Sequence, residues 1–161
     1  MSKKKRREIP RFDSPIIETH CHLDYLDQQE LEHTLQKSSE VGVERIITIA
    51  VSASNLDRVM EISRSSSRIW YTQGIHPHEA ASYSPTVDAT IRSRATDERM
   101  LAVGEIGLDY YYDHADRKVQ RAVFEQQLQT AADLDLPVVV HTRDADEDTR
   151  DILRNYSNLL K

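Results

Sequence analysis

Cysteine, long apolar runs and a surplus of basic residues are scarce or missing in this 161-residue sequence. The single cysteine, Cys21, excludes an intrachain disulfide framework and favours a reducing compartment, so a cytoplasmic location is expected. No run of about 18 apolar residues is present, which argues against a helix that spans a membrane. The chain has 21 Lys and Arg against 27 Asp and Glu, so it lacks the overall basic charge typical of nucleic-acid-binding domains. A phosphate-bearing substrate would therefore need a local positive site, such as bound metal ions.

The length fits one domain preceded by a short basic segment. Residues 3–7 are all Lys or Arg, and Pro10 follows them. We expect residues 1–14 to form a disordered basic arm that mainly aids solubility, with contact to nucleic acid or a membrane surface as the alternative. No apolar segment follows the basic residues, so a secretory signal is not expected. Residues 15–161 are expected to form the folded domain.

Five apolar segments alternate with five helical patterns along the chain. The predicted strands are Ile16–Cys21, Arg45–Val51, Ile69–Ile75, Leu101–Asp109 and Pro137–His141. The predicted helices cover about 28–40, 55–62, 85–97, 116–134 and 146–160. This order predicts an α/β fold with parallel strands. Five units could form a doubly wound open sheet or part of a (β/α)₈ TIM barrel, which typically needs about 250 residues, and periodicity does not choose between them.

The first predicted strand ends in residues of the type that bind metals. Side chains alternate along a strand, so His20 and His22 would lie on one face, about 7 Å apart. Two imidazoles in this arrangement can share one metal ion or flank a pair of ions. A lone His-x-His pattern is explained equally well by ordinary polar residues at the end of a strand.

Three further strands end in, or contain, similar residues. The third strand leads into His76 and His78, and the fifth ends at His141. Glu105 lies within the apolar fourth strand, where a carboxylate is costly unless it is paired or bound to metal. Glycines on both sides of Glu105 would allow close approach of a neighbouring backbone. Because ligands converging from four strands suit the rim of a barrel, we favour a metal site and a partial barrel.

These segments together resemble the TatD-like family of metal-dependent hydrolases, often described as deoxyribonucleases. The similar motifs are Glu18–Asp24, Gly74–His78, Gly104–Tyr110 and Pro137–Ala145, and the similarity extends over about 16–160. The resemblance implies a TIM barrel of the metallo-dependent hydrolase type, here with about five β/α units. It also implies two divalent metal ions (zinc, manganese or magnesium) at the rim, and hydrolysis of phosphodiester bonds in DNA.

The same resemblance implies roles for six residues. His20 and His22 would bind one metal ion, His141 would bind the other, and Glu105 would bridge the two as the central catalytic carboxylate. We expect the two remaining rim histidines, His76 and His78, to contact the substrate.

The family continues through three more β/α units, which supply a further metal-binding histidine and a metal-binding aspartate that is the expected base. Neither has a counterpart in these 161 residues. We therefore expect the isolated chain to be a weak or inactive hydrolase. We also expect self-association through the two open edges of its sheet.

Two other functions stay open at this point. A catalytically degenerate metal-binding or interaction module would need no further ligands. An amidohydrolase acting on C–N bonds would share the His-x-His pattern, but such enzymes more often use a carbamylated lysine, and no lysine lies between Lys37 and Lys118. The three tyrosines 110–112 could stack on nucleic-acid bases, although packing and hydrogen bonding are the more usual roles of such residues.

Overall fold

The computed structural model describes residues 12–159, so the basic run 3–7 of the predicted arm lies outside the described residues. The strands are β1 (Ile16–Cys21), β2 (Val43–Thr48), β3 (Ile69–Gln73), β4 (Met100–Asp109) and β5 (Val138–Arg143). The helices are α1 (Gln28–Glu40), α2 (Leu56–Ser65), α3 (Pro85–Arg94), α4 (Arg117–Asp133) and α5 (Asp146–Tyr156). Short 3₁₀ helices cover Leu23–Tyr25 and Pro77–Ser82.

All five strands are parallel, and their order in the sheet is the order of the chain, from β1 at one edge to β5 at the other. A doubly wound sheet reverses its strand order partway, whereas a barrel adds each strand beside the previous one. The strands form a curled half-barrel. The prediction of five β/α units of a TIM barrel is therefore confirmed, and the doubly wound alternative is excluded.

Two strands end earlier than predicted because side chains replace the ladder partners of their last residues. β2 stops at Thr48, and beyond it the amide of Ala50 donates to Thr72 Oγ1 at 3.2 Å. β3 stops at Gln73, and the amide of Ile75 donates to Gln127 Oε1 at 2.8 Å. Both segments were predicted as strand because they are apolar, and polar side chains elsewhere in the chain decide their ends.

The helices pack against the sheet, and the buried hydrophobic residues of the described part of the chain form three clusters. The largest fully buried side chains are Tyr71, Phe124, Leu31, Ile49, Ile62, Ile69, Ile75, Ile91, Ile106, Leu108, Leu128 and Gln73. Asp27 begins α1 as a capping box, since its carboxylate accepts from the amide of Glu30 and Glu30 returns a bond to the Asp27 amide. Within residues 12–159, no helix combines the length and apolar character that crossing a membrane requires.

Two glycines let β4 approach β5 closely beside Glu105. A Cβ at Gly104 would lie 2.6 Å from Cβ of Val139. Gly107 has φ +139°, where other residues are strained, and a Cβ there would meet the carbonyl oxygen of His141. The predicted close approach is confirmed, and it brings the Glu105 and His141 positions together.

Candidate metal centre

The strands bring the six predicted site residues to one end of the half-barrel. Five of them form two overlapping groups, His20 with His22 and Glu105, and His76 with Glu105 and His141. Within each group the ligand-type atoms lie within 4.8 Å of one another. His78 stands beside the second group, with its ring centre 4.4 Å from that of His76.

Glu105 is shared by the two groups and is largely buried. Its Oε2 lies 3.3 Å from Nε2 of His20, and its Oε1 lies 3.2 Å from Nδ1 of His141. Each carboxylate oxygen therefore faces a histidine from a different strand. A carboxylate placed in this way can bridge two cations held by the flanking imidazoles.

The charges of this cluster depend on one another. Burial alone would raise the pKa of Glu105, but the hydrogen bond from His141 and the charges of the neighbouring histidines outweigh it and hold the pKa below its usual value. The bond to Glu105 raises the pKa of His141 in turn, with a further contribution from Asp109. Because carboxylates only accept, both ring nitrogens of His141 donate, so a cation bound there would replace a proton.

His22 is oriented by a backbone carbonyl. Its Nδ1 lies 3.3 Å from the carbonyl oxygen of Ile49, and its ring stacks on that of Tyr25 at 5.3 Å. A carbonyl oxygen can only accept, so the neutral tautomer carries its proton on Nδ1 and leaves the lone pair on Nε2. This is the usual arrangement of a metal-binding histidine, whose second nitrogen is fixed by a hydrogen bond.

His76 has the opposite tautomer. Its Nδ1 accepts from the backbone amide of His78 at 3.2 Å, so the neutral ring carries its proton on Nε2. Burial, together with the nearby His141 and His78 rings, lowers the pKa of His76 to about 4, so the ring is neutral at physiological pH. His76 therefore lies within the second ligand group, but in this tautomer its remaining nitrogen, Nε2, carries a proton and has no lone pair for a metal ion.

Asp109, at the end of β4, was not predicted as a site residue. Its buried carboxylate accepts through Oδ2 from His78 Nε2 at 2.9 Å and from His141 Nε2 at 3.0 Å. Its Oδ1 accepts from the amides of Tyr111 and Tyr112. These bonds outweigh the effect of burial and lower the pKa of Asp109 to about 2. The signal in the sequence was a carboxylate at the end of a strand that already carried Glu105.

Two buried glutamines of α4 hold the strand ends around the site, and sequence reasoning missed both. Gln127 bonds both backbone groups of Ile75, just before His76. Gln120 accepts from the amide of Asp109 at 2.8 Å and donates to its carbonyl oxygen at 3.1 Å. Polar residues at buried positions of an amphipathic helix were the signal that could have identified them.

The donor set fits a divalent transition metal. Imidazole nitrogens with a shared carboxylate suit zinc or manganese, and three protein donors in each group leave positions for water or substrate. The arrangement thus defines a class, the parallel β/α barrels with a candidate metal centre at the carboxyl ends of the strands. The chain belongs to one family of this class, described as TatD related DNase, whose model matches residues 17–160.

Curated relatives agree with this family. The chain is 31% identical over 140 residues to the "uncharacterized metal-dependent hydrolase YabD" of Bacillus subtilis, covering 86% of this chain and 55% of the relative. It is 32% identical to the "3'-5' ssDNA/RNA exonuclease TatD" of Erwinia tasmaniensis, covering 83% and 52%. The chain thus spans about half the length of the curated relatives it matches.

Solved structures show the same partial match. The TatD homolog YjjV of Escherichia coli K12 superposes with a TM-score of 0.81 at 29% identity, covering 87% of this chain and 55% of that one. An uncharacterized amidohydrolase of Saccharomyces cerevisiae, at 18% identity and a TM-score of 0.71, shows the shared fold. The predicted family and partial barrel are confirmed.

Proposed function

We propose that this chain is the metal-binding part of a hydrolase that cleaves phosphodiester bonds in nucleic acid, with DNA as the first substrate to test. The observation that carries the proposal is the position of Glu105, whose two oxygens face His20 and His141 on opposite sides. Membership of the TatD related DNase family supports it, as does the name of the Erwinia relative, which describes an exonuclease acting on single-stranded DNA and RNA.

The proposed ligands are four of the predicted residues. His20, His22 and Glu105 would hold one divalent ion, and Glu105 with His141 would hold the second. Zinc and manganese suit these donors best, and magnesium is the third candidate. Such ions activate water at neutral pH and neutralise charge on phosphate oxygens, which is how an acidic protein can act on a polyanion. Glu105 has the central catalytic role, since both ions depend on it.

His76 and His78 are assigned to substrate contact. The Nδ1 atom of His76 already accepts from the His78 amide, so its Nε2–H is the group left for an acceptor such as a phosphate oxygen. His78 donates to Asp109, which fixes its ring against that of His76. A neutral, oriented donor of this kind positions a substrate without competing for the metal ions.

The first test is metal binding by the 161-residue chain, measured by isothermal titration calorimetry with Zn²⁺ and Mn²⁺. Glu105→Gln should weaken every site, because both ligand groups share this carboxylate. Glu125→Gln, on the exposed face of α4, is the matched control and should bind as the wild type does. His76→Ala should retain the metal stoichiometry, whereas His141→Ala should lose one ion. Equal binding by wild type and Glu105→Gln would contradict the ligand assignment.

The second test is hydrolysis of a single-stranded oligodeoxynucleotide with Mn²⁺, stopped by EDTA. We expect weak turnover by these 161 residues, because the family's remaining ligand and base have no counterpart among them. Metal binding without any turnover would favour the alternative of a degenerate metal-binding module. Turnover that is strong in the wild type and absent in Glu105→Ala would disprove the expected weakness while supporting the site.

A further inference from the structure

The loop after β4 exposes two aromatic rings at the edge of the candidate metal centre. Tyr111 is 57% exposed and Tyr112 is 49% exposed, and their ring centres lie 4.8 Å apart. The guanidinium of Arg143, the last residue of β5, lies 4.1 Å from the ring centre of Tyr111 and 4.6 Å from that of Tyr112. An exposed aromatic pair with a stacked guanidinium, beside a candidate metal centre, is a candidate interaction surface.

The neighbouring tyrosine shows what a packing role looks like in the same loop. The hydroxyl of Tyr110 donates to Asp148 at 2.6 Å, and Arg117 covers its ring at 4.5 Å. Within residues 12–159, neither Tyr111 nor Tyr112 has a side-chain hydrogen bond through its hydroxyl. The packing role expected for all three tyrosines therefore applies to Tyr110, and the other two need another explanation.

The exposed pair is held in place by a buried group. Asp109 Oδ1 accepts from the amides of Tyr111 and Tyr112 at 3.1 Å and 2.9 Å, while its Oδ2 holds His78 and His141. One carboxylate therefore fixes the aromatic loop and two histidines of the metal centre together. Such fixed rings lose little conformational entropy when a ligand stacks on them.

The rings lead from solvent to the metal centre. The Tyr112 ring contacts the guanidinium of Arg143, is parallel to the ring of His114 at 5.7 Å, and packs perpendicular to the ring of His78 at 5.5 Å. Tyr111 has ring or guanidinium contacts only to Tyr112 and Arg143 among the described residues. Tyr111 is therefore the more exposed ring of the pair, and Tyr112 connects it to the histidines that would handle a phosphate.

Arg143 carries a positive charge without a carboxylate partner. In the part of the chain that the structure describes, no carboxylate oxygen lies within 4.0 Å of its guanidinium, and its contacts are the two tyrosine rings. It stands two residues after His141, on the same strand. An uncompensated guanidinium beside a candidate phosphodiester site is suited to a phosphate oxygen.

We propose that Tyr111, Tyr112 and Arg143 form a binding platform for single-stranded nucleic acid. An unpaired base stacks on Tyr111, and Arg143 contacts a phosphate next to that base. This inference rests on the proposed function for its ligand class. The platform contacts only the face of a base and the charge of a phosphate, so it accepts any of the bases. The base must be unpaired for its face to stack on Tyr111.

The test is a binding experiment in EDTA, where no metal-dependent hydrolysis takes place. Fluorescence anisotropy compares a short labelled oligodeoxynucleotide with an oligomer of the same length and charge whose sugars lack bases. The wild-type chain should bind the base-bearing oligomer about tenfold more tightly, the scale of one base–aromatic stack. Tyr111→Ala should remove this difference, and Tyr111→Phe should keep it because the ring face is retained.

The contribution of the Arg143 charge is tested by measuring affinity and its dependence on salt. Arg143→Ala should weaken both oligomers equally and reduce the slope of log affinity against log salt by about 0.7, as expected for one lost phosphate contact on a single strand. Arg154→Ala, on exposed α5, removes the same charge elsewhere and should change neither quantity.

Three results would overturn the platform. The first is that the wild type does not bind either oligomer at low salt, and the second is that it binds both equally. The third is that Tyr111→Ala keeps the preference for the base-bearing oligomer. Because EDTA separates binding from hydrolysis, a chain that binds bases but cleaves nothing would count against the proposed hydrolase alone. A chain that cleaves DNA without any base preference would count against the platform alone.

Discussion

Nε2 of His141 lies 3.0 Å from Oδ2 of Asp109, while the other ring nitrogen, Nδ1, faces Glu105 at 3.2 Å. The imidazole is thus held between one carboxylate at the proposed metal centre and another behind it. In metal sites, a carboxylate behind the ligand histidine fixes its tautomer and orientation and increases its basicity. Asp109 occupies this outer position, and it holds His78 in the same way.

Asp109→Asn should lower metal affinity about 10- to 100-fold, the usual effect of losing such an outer carboxylate. The amide replaces one of the two acceptor oxygens with an NH₂ donor, so it cannot accept from the loop amides and from the two histidines at once, and His141 would lose its fixed orientation. Calorimetric titration with Zn²⁺ measures the affinity, and far-UV circular dichroism checks that the fold is retained. Asp151→Asn, on exposed α5, is the control. Native structure with unchanged affinity in Asp109→Asn would show that Asp109 has no part in metal binding.

Gln127 also supports the site, through the backbone of Ile75. Gln127→Leu would leave a buried amide and a buried carbonyl without partners, and should destabilise the chain by about 2–4 kcal/mol. Gln126→Leu, one residue earlier on the exposed face of α4, should change stability by less than about 0.5 kcal/mol. Urea unfolding of the two variants measures the difference. Equal midpoints would mean that water replaces the glutamine at Ile75.

The sequence was sufficient to predict the order of the elements and the family. Alternating apolar segments indicate parallel strands in any such fold. The prediction of α1 over about 28–40 agrees with its observed bounds, because its N-cap, Asp27, is a local signal. The choice of a barrel came from the histidines and Glu105, not from periodicity, and the sequential strand order confirmed it.

What the sequence could not predict are contacts between distant positions. Asp109 and His141 are 32 residues apart, and the polar partners of Gln127 are 52 residues away. Such pairs leave no local pattern, because the residues around one partner carry no mark of the other partner, which in the case of Gln127 is the backbone of an apolar residue, Ile75. The tautomers of His22 and His76 likewise depend on backbone groups that only the fold brings near.

Asp97 should make the chain sensitive to acid. The backbone bond from Arg99 holds the pKa of Asp97 below its ordinary value of 3.8, against the effect of burial, and the hydroxyl of Tyr71 adds a second bond. A lowered folded pKa stabilises the protein above the unfolded pKa, and this contribution disappears as the pH falls through the folded pKa. Stability should therefore decline below about pH 4.

Asp97→Asn removes this titration. Its free energy of unfolding should be about 1 kcal/mol lower at neutral pH, from weaker hydrogen bonding, and should change less than that of the wild type as the pH falls. Urea titrations at a series of pH values measure both effects. Asp151→Asn, whose carboxylate is exposed on α5, should follow the wild-type curve. Parallel curves for Asp97→Asn and the wild type would refute the assignment.

The half-barrel has two open strand edges, and we expect the chain to self-associate through them. β1 and β5 each have a strand neighbour on one side only, and Ile17 of β1 is 53% exposed. Unpaired strand edges with apolar side chains pair readily with another chain, and a lysine on such an edge opposes pairing. The 161-residue chain should therefore show a mass above that of a monomer by light scattering, falling on dilution. Ile17→Lys should shift it toward the monomer, whereas Val119→Lys, a 38% exposed position on α4, should not. A wild-type chain that stays monomeric across the dilution series would show that these edges are protected in another way.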